Sequence, residues 1–118
     1  MKIDEVLRRI DHTQLKPTAS ESDIVKLCNE ARKYGFYAVC VNPYYVPLAA
    51  RLLNGTDIKI SSAIGFPLGA TFMEIKAAEA EKSIRLGASE IDMVMNISAF
   101  KSGDLEYVRR DIRGLGRE

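Results

Sequence analysis

Glu90-Ile91-Asp92-Met93-Val94-Met95-Asn96-Ile97 is the stretch whose alternation decides the fold. Successive side chains of an extended segment point to opposite faces. Ile91, Met93, Met95 and Ile97 therefore share one side, and Asp92, Val94 and Asn96 share the other. The wholly apolar side must pack beneath helices, which turns Asp92 and Asn96 to the inner side of a sheet.

Earlier segments follow the same rule. Residues 37–42 form a short apolar, β-branched run ended by Pro43, with Val39 and Val41 facing helices and Ala38, Cys40 and Asn42 facing inward. In residues 58–66, Ile58, Ile60 and Ile64 go outward, while Lys59, Ser61, Ala63 and Gly65 go inward. In residues 11–15, Asp11, Thr13 and Leu15 share a parity, which a more mixed pattern assigns to the inner side less sharply.

Helical periods separate these strands. Ile3, Val6, Leu7 and Ile10 predict a short leading helix over 2–9. Ile24, Leu27, Cys28 and Ala31 predict a second over 20–34, with serines before it as caps and Gly35 as its stop. Pro47 fits the first turn of a helix carrying Val46, Ala49, Ala50 and Leu53 on one face and closed by Gly55. Thr71-Phe72-Met73-Glu74 has the form of a capping box opening a helix whose Met73, Ala77, Ala80 and Ile84 share a side and which ends at Gly87. Asp104 caps a last helix with Leu105, Val108, Ile112 and Leu115 in register, frayed by Gly114 and Gly116. Gly65-Phe66-Pro67-Leu68-Gly69 lacks the spacing of a nucleotide-binding loop and reads as a tight turn between strand and helix.

Four β-α units in succession call for a parallel sheet covered by helices, an α/β fold. No linker divides the chain, so residues 1–118 read as a single domain. Periodicity alone leaves two arrangements open, four units of a barrel or an open α/β sandwich.

Composition narrows the function classes. The chain is 47% apolar and 28% charged, with a formal net charge of +1 and interleaved signs. It has no basic stripe for nucleic acid and no apolar run of membrane-spanning length. Residues 1–5 are charged and lack the apolar core of a signal peptide. Cys28 and Cys40 are isolated thiols, and with His12 they make no metal-ligand cluster. The expectation is a cytoplasmic protein with reduced thiols and no metal. His12 lies on the parity opposite to Asp11 and Thr13, as a polar contact beneath a helix.

The inner wall thus carries Asp11, Thr13, Cys40, Asn42, Ser61 and Asp92. A packed barrel interior is branched and apolar instead. Carboxylates enclosed there would need partners or a function. Cys40 also fits as a small buried filler.

Four blocks in order resemble deoxyribose-phosphate aldolase. They are Ile10-Asp11-His12-Thr13-Gln14-Leu15-Lys16-Pro17, Ala38-Val39-Cys40-Val41-Asn42-Pro43, Ile64-Gly65-Phe66-Pro67-Leu68-Gly69 and Glu90-Ile91-Asp92-Met93-Val94-Met95-Asn96. The resemblance runs from about residue 9 to residue 113. It implies that the four units are half of a TIM (β/α)8 barrel behind a short N-terminal helix. It implies, too, a cofactor-independent aldolase that interconverts 2-deoxyribose 5-phosphate with acetaldehyde and glyceraldehyde 3-phosphate through a lysine Schiff base. By that likeness Asp92 is the aspartate of the proton relay, Asp11 and Thr13 line the same pocket as catalytic support, and Cys40, with Asn42 nearby, belongs to the substrate side.

The family's Schiff-base lysine lies in a Lys-Thr-Ser-Thr-Gly-Phe strand, and a second lysine in a Lys-Ala-Ser-Gly-Gly block. Neither block is in these 118 residues. Lys59 and Lys16 are poor substitutes, one at the wrong end of its strand and the other on the wrong parity before Pro17. The expectation is therefore a chain inactive alone. Its alternative is a non-catalytic half-barrel module that self-associates, with a homodimer closing an eight-stranded barrel as the favoured assembly. A small stand-alone α/β binding domain is a third reading.

Overall fold

The computed structural model describes residues 1–115. Helix α1 (Ile3–Leu7) precedes β1 (Asp11–Gln14), α2 (Glu21–Tyr34), β2 (Ala38–Val41), a 3-10 turn (Pro43–Tyr45) and α3 (Val46–Leu52). Then come β3 (Lys59–Ile64), α4 (Met73–Arg85), β4 (Glu90–Met93), α5 (Ile97–Lys101) and α6 (Leu105–Leu115). The four strands are parallel and lie in the sheet in chain order, β1-β2-β3-β4. The fold is half of a (β/α)8 barrel, with the short leading helix in place.

Local chemistry sets several element ends. Ser20 caps α2 in a reciprocal box, its hydroxyl accepting from the Asp23 N–H while the Asp23 carboxylate accepts from the Ser20 N–H at 2.8 Å. Gly35 ends the helix in the left-handed conformation at φ 70°, its N–H donating to the Ala31 carbonyl. Asp104 accepts from the Tyr107 N–H at 3.1 Å at the start of α6.

The outer face of the sheet holds the apolar core. Val39, Val41 and Ile60 pack against Ile24, Leu27, Cys28 and Ala31 of α2 and against Val46, Ala49 and Leu53. His12 also faces this side, and its Nε2 lies 3.1 Å from the Glu30 carboxylate of α2. The parity assigned to His12, Val39, Val41 and Ile60 therefore holds.

Helix α4 departs from the expected pattern. Its buried side chains are Lys76, Ala80 and Ser83, whereas Ile84 is 44% exposed. Every third or fourth residue of this face makes a polar contact behind the sheet. Lys76 meets Asp111 of α6 at 2.5 Å, Glu79 accepts from the Gly65 N–H at 2.8 Å, and Ser83 bonds Ser62 of β3 at 3.0 Å. Leaving either charge of the Lys76–Asp111 pair without the other would cost about 3–5 kcal/mol. The Thr71 capping box is not formed either. Phe72 occupies the cap position, with no side-chain hydrogen bond to the helix.

Strand β4 is shorter than its alternation. It stops at Met93, and the next carbonyl, that of Val94, accepts from the Lys76 ammonium at 3.0 Å. Asn96 then caps α5, its Oδ1 accepting from the Ala99 N–H at 3.0 Å. Asn96 is thus a helix cap and no inner-wall residue, and Ile97, expected to end the strand, opens α5 instead. Gly65 is turned as well, since a Cβ there would point toward Lys76 on the helix side. Gly114 lies within α6, while Gly116 falls outside the described residues.

Candidate functional site

The inner face is built in rows by the strand register. Asp11, Ala38 and Lys59 form the row nearest the strand starts. Thr13, Cys40, Ser61 and Glu90 form the next, and Ala63 with Asp92 the row nearest the strand ends. Active sites of β/α barrels gather at the C-terminal ends of the strands. Asp92 holds that position, and Lys59 sits at the opposite end.

Two of the expected site residues touch. The Cys40 thiol donates to the Asp92 carboxylate at 3.3 Å across β3, over the small Ala63 and Ser61 between them. Burial pushes the Cys40 thiol up to about 12, and the hydrogen bond and charge of Asp92 add to the effect. Cys40 is therefore a neutral donor toward Asp92 at physiological pH and a poor nucleophile.

Asp11 shares the wall but stands two rows below Asp92. Its carboxyl is pushed above the usual carboxylate range, first by partial burial and then by the charges of Asp92 and Glu90. Thr13 is exposed, and its hydroxyl donates to the Asp11 carbonyl at 2.9 Å. Asn42 lies just past β2, where its amide donates to the Leu15 carbonyl at 3.3 Å and ties the ends of β1 and β2 together. Ser61 is fully buried, with no hydrogen-bond partner for its hydroxyl.

The carboxylates differ from the sequence expectation in one respect. Asp11 and Asp92 are both exposed, because the wall opens to solvent on the side away from the helices. Both carboxylates keep contact with water, so neither meets the full cost of an enclosed carboxylate, and Asp11 bears only the share its partial burial brings.

Sequence reasoning passed over Glu90 and Tyr37. The Tyr37 hydroxyl donates to Glu90, and that bond is the foremost reason the phenol titrates above its ordinary range. Glu90 has the same parity as Asp92, so the alternation could have found it. Tyr37 precedes β2 and reaches β4 by its length, which no period announces. Among the described residues no three His, Cys, Asp or Glu side chains form a metal-binding group, and no helix is long and apolar enough to cross a membrane.

Comparison with known proteins agrees with this geometry. A deoxyribose-phosphate aldolase from Aciduliprofundum boonei is 61% identical over 113 residues, 96% of this chain and 51% of that protein. The crystal structure of a putative deoxyribose-phosphate aldolase from Coccidioides immitis superposes with a TM-score of 0.93 at 40% identity, covering 98% of this chain and 46% of that one. A tetrameric deoxyribose phosphate aldolase from Aeropyrum pernix superposes at 0.86 and 35% identity, over 97% of this chain and 47% of that one. The chain spans about half the length of the curated relatives it matches. Residues 6–116 match the family model described as DeoC/LacD family aldolase. With the parallel half-barrel and its paired Cys40 and Asp92 already in view, the chain belongs to the DeoC/LacD aldolase family.

Proposed function

We propose that this chain provides the acid–base wall of a Schiff-base aldolase site. In a complete barrel that site interconverts 2-deoxyribose 5-phosphate with acetaldehyde and glyceraldehyde 3-phosphate. The observation that carries the proposal is the placement of Asp92 at the strand ends, with the neutral Cys40 thiol bonded to its carboxylate. Asp92 takes and returns the proton at the carbon beside the iminium, as a general base and then a general acid. Asp11 supports it through charge from below, and Thr13 does so by holding the Asp11 backbone. Cys40 and Asn42 line the substrate side.

The nucleophilic lysine is a separate requirement. Lys59 is the single lysine within β1–β4, and it opens its strand at the far end from Asp92. Lys76 is buried behind the sheet in its pair with Asp111. The 118-residue chain alone is therefore inactive in this reading. Incubation with acetaldehyde and borohydride, followed by intact mass, is expected to show no lysine adduct, and an adduct would overturn the inactivity.

The role of Asp92 is tested in a completed barrel, made by joining this chain to the C-terminal half of the Aciduliprofundum boonei relative. Asp92→Asn should lower kcat by about a hundredfold or more. An unchanged kcat would remove Asp92 from the reaction.

A second reading has its own support. β1 and β4 are each paired on one side only, and the inner wall between them is open. A non-catalytic half-barrel that closes against a second copy, with the fourth strand of each meeting the first strand of the other, uses both features.

A further inference from the structure

The backbone that follows Asp92 is gripped by groups that are not on the inner wall. The Val94 N–H donates to the Ile64 carbonyl at 2.9 Å and carries the ladder one step past Met93. The Val94 carbonyl accepts from the Lys76 ammonium of α4 at 3.0 Å. That ammonium also meets Asp111 of α6, with both side chains wholly buried. Gly69 closes another side, since a Cβ there would stand 2.1 Å from the Met95 carbonyl oxygen and 2.8 Å from that of Val94. One turn along α4 from Lys76, Glu79 takes the Gly65 N–H at the end of β3.

Apolar residues of matching volume commonly stabilise a core as well as a buried ion pair does, or better. The pair therefore calls for a role besides stability, and the Val94 carbonyl indicates which one. We propose that Lys76, held by Asp111, is a positioning residue that ends β4 by gripping Val94 and so fixes where Asp92 stands on the inner wall. The proposal rests on the reading of Asp92 as the proton-transferring carboxylate. Asp92 is two residues from the grip, so a backbone shift at Val94 passes to its carboxylate and to the hydrogen bond from Cys40.

The test uses the chain as it is, with the double variant Lys76→Met/Asp111→Leu. Removing both charges together leaves no unpaired ion behind. Nuclear magnetic resonance should show amide exchange at Val94 rising on the order of tenfold, the loss of about one charge-assisted hydrogen bond. Amides of β2, at Val39 and Val41, should keep their protection. The resonance of the Asp92 carboxyl carbon should also move, because its place on the wall and its hydrogen bond from Cys40 change. A folded double variant with unchanged Val94 exchange and an unchanged Asp92 carboxyl resonance would overturn the proposal.

Should that variant not fold, Asp111→Glu is read in the same way, because it leaves Lys76 paired while its longer arm displaces the ammonium from the Val94 carbonyl. Val94 protection equal to that of the parent chain would then overturn the proposal. Neither readout depends on turnover. If Asp92→Asn leaves a completed barrel fully active, the functional reading fails and the positioning result stands.

Discussion

At the scale of single residues, Asp11 gives the sharpest consequence. Partial burial, with Asp92 and Glu90 nearby, raises its carboxyl above the ordinary value. The folded chain then binds that proton more tightly than the unfolded chain does. The associated stability is fully present below the unfolded carboxylate midpoint and is lost as pH rises through the folded one. Asp11→Asn is therefore expected to raise Tm at neutral pH and to give no gain below the ordinary carboxylate midpoint. Thermal melts at the two pH values check this, and a lower Tm at neutral pH would contradict it. Cys40 and Asp92 were legible because each alternates against outward Val, Ile or Met neighbours, and Asp11, beside His12 in a mixed strand, was less so. Lys76 was not. A lysine at a helical position reads as solvated, and its partner Asp111 lies 35 residues away on another helix.

Among the elements, the turn between β3 and α4 is the least tolerant. Gly69 has φ 64°, a conformation that L side chains rarely adopt, and its N–H donates to the Gly65 carbonyl at 2.7 Å. An added methyl would also collide with the Met95 carbonyl oxygen. Gly69→Ala should lower the unfolding free energy by at least about 2 kcal/mol, measured by urea titration. A midpoint equal to that of the parent chain would show that the turn rearranges freely. The sequence marked this segment as a turn from its Gly-Phe-Pro-Leu-Gly composition. It could not mark α5, because Met93-Val94-Met95 continues the strand alternation without a break. Just past Met93 a lysine from another element takes the Val94 carbonyl, a contact absent from any local pattern.

For the whole molecule, surface area is informative. The accessible surface is 7670 Å², against roughly 6,400 Å² for a folded monomer of this mass by the usual scaling. The excess fits an open inner wall and two half-paired edge strands. An interface of ordinary size removes roughly 800 Å² from each partner. Light scattering is thus expected to show self-association at micromolar concentration, and a well-folded monomer under those conditions would count against it. A parallel α/β sheet was legible from the order of strands and helices, and the half-barrel followed from the family resemblance of the four blocks. Which outside surface covers the inner wall was not, because a polar wall can be matched by a second copy or by further barrel units.

The sheet order repeats the chain order, and each strand pairs with the one made just before it. Most loops closed during folding are therefore a single β-α step long, which keeps the entropic cost of each step small and of similar size. A chain leaving the ribosome can add each unit to an already paired edge without waiting for a distant segment. The exposed edge at any moment is the newest strand, so synthesis and assembly advance in the same direction.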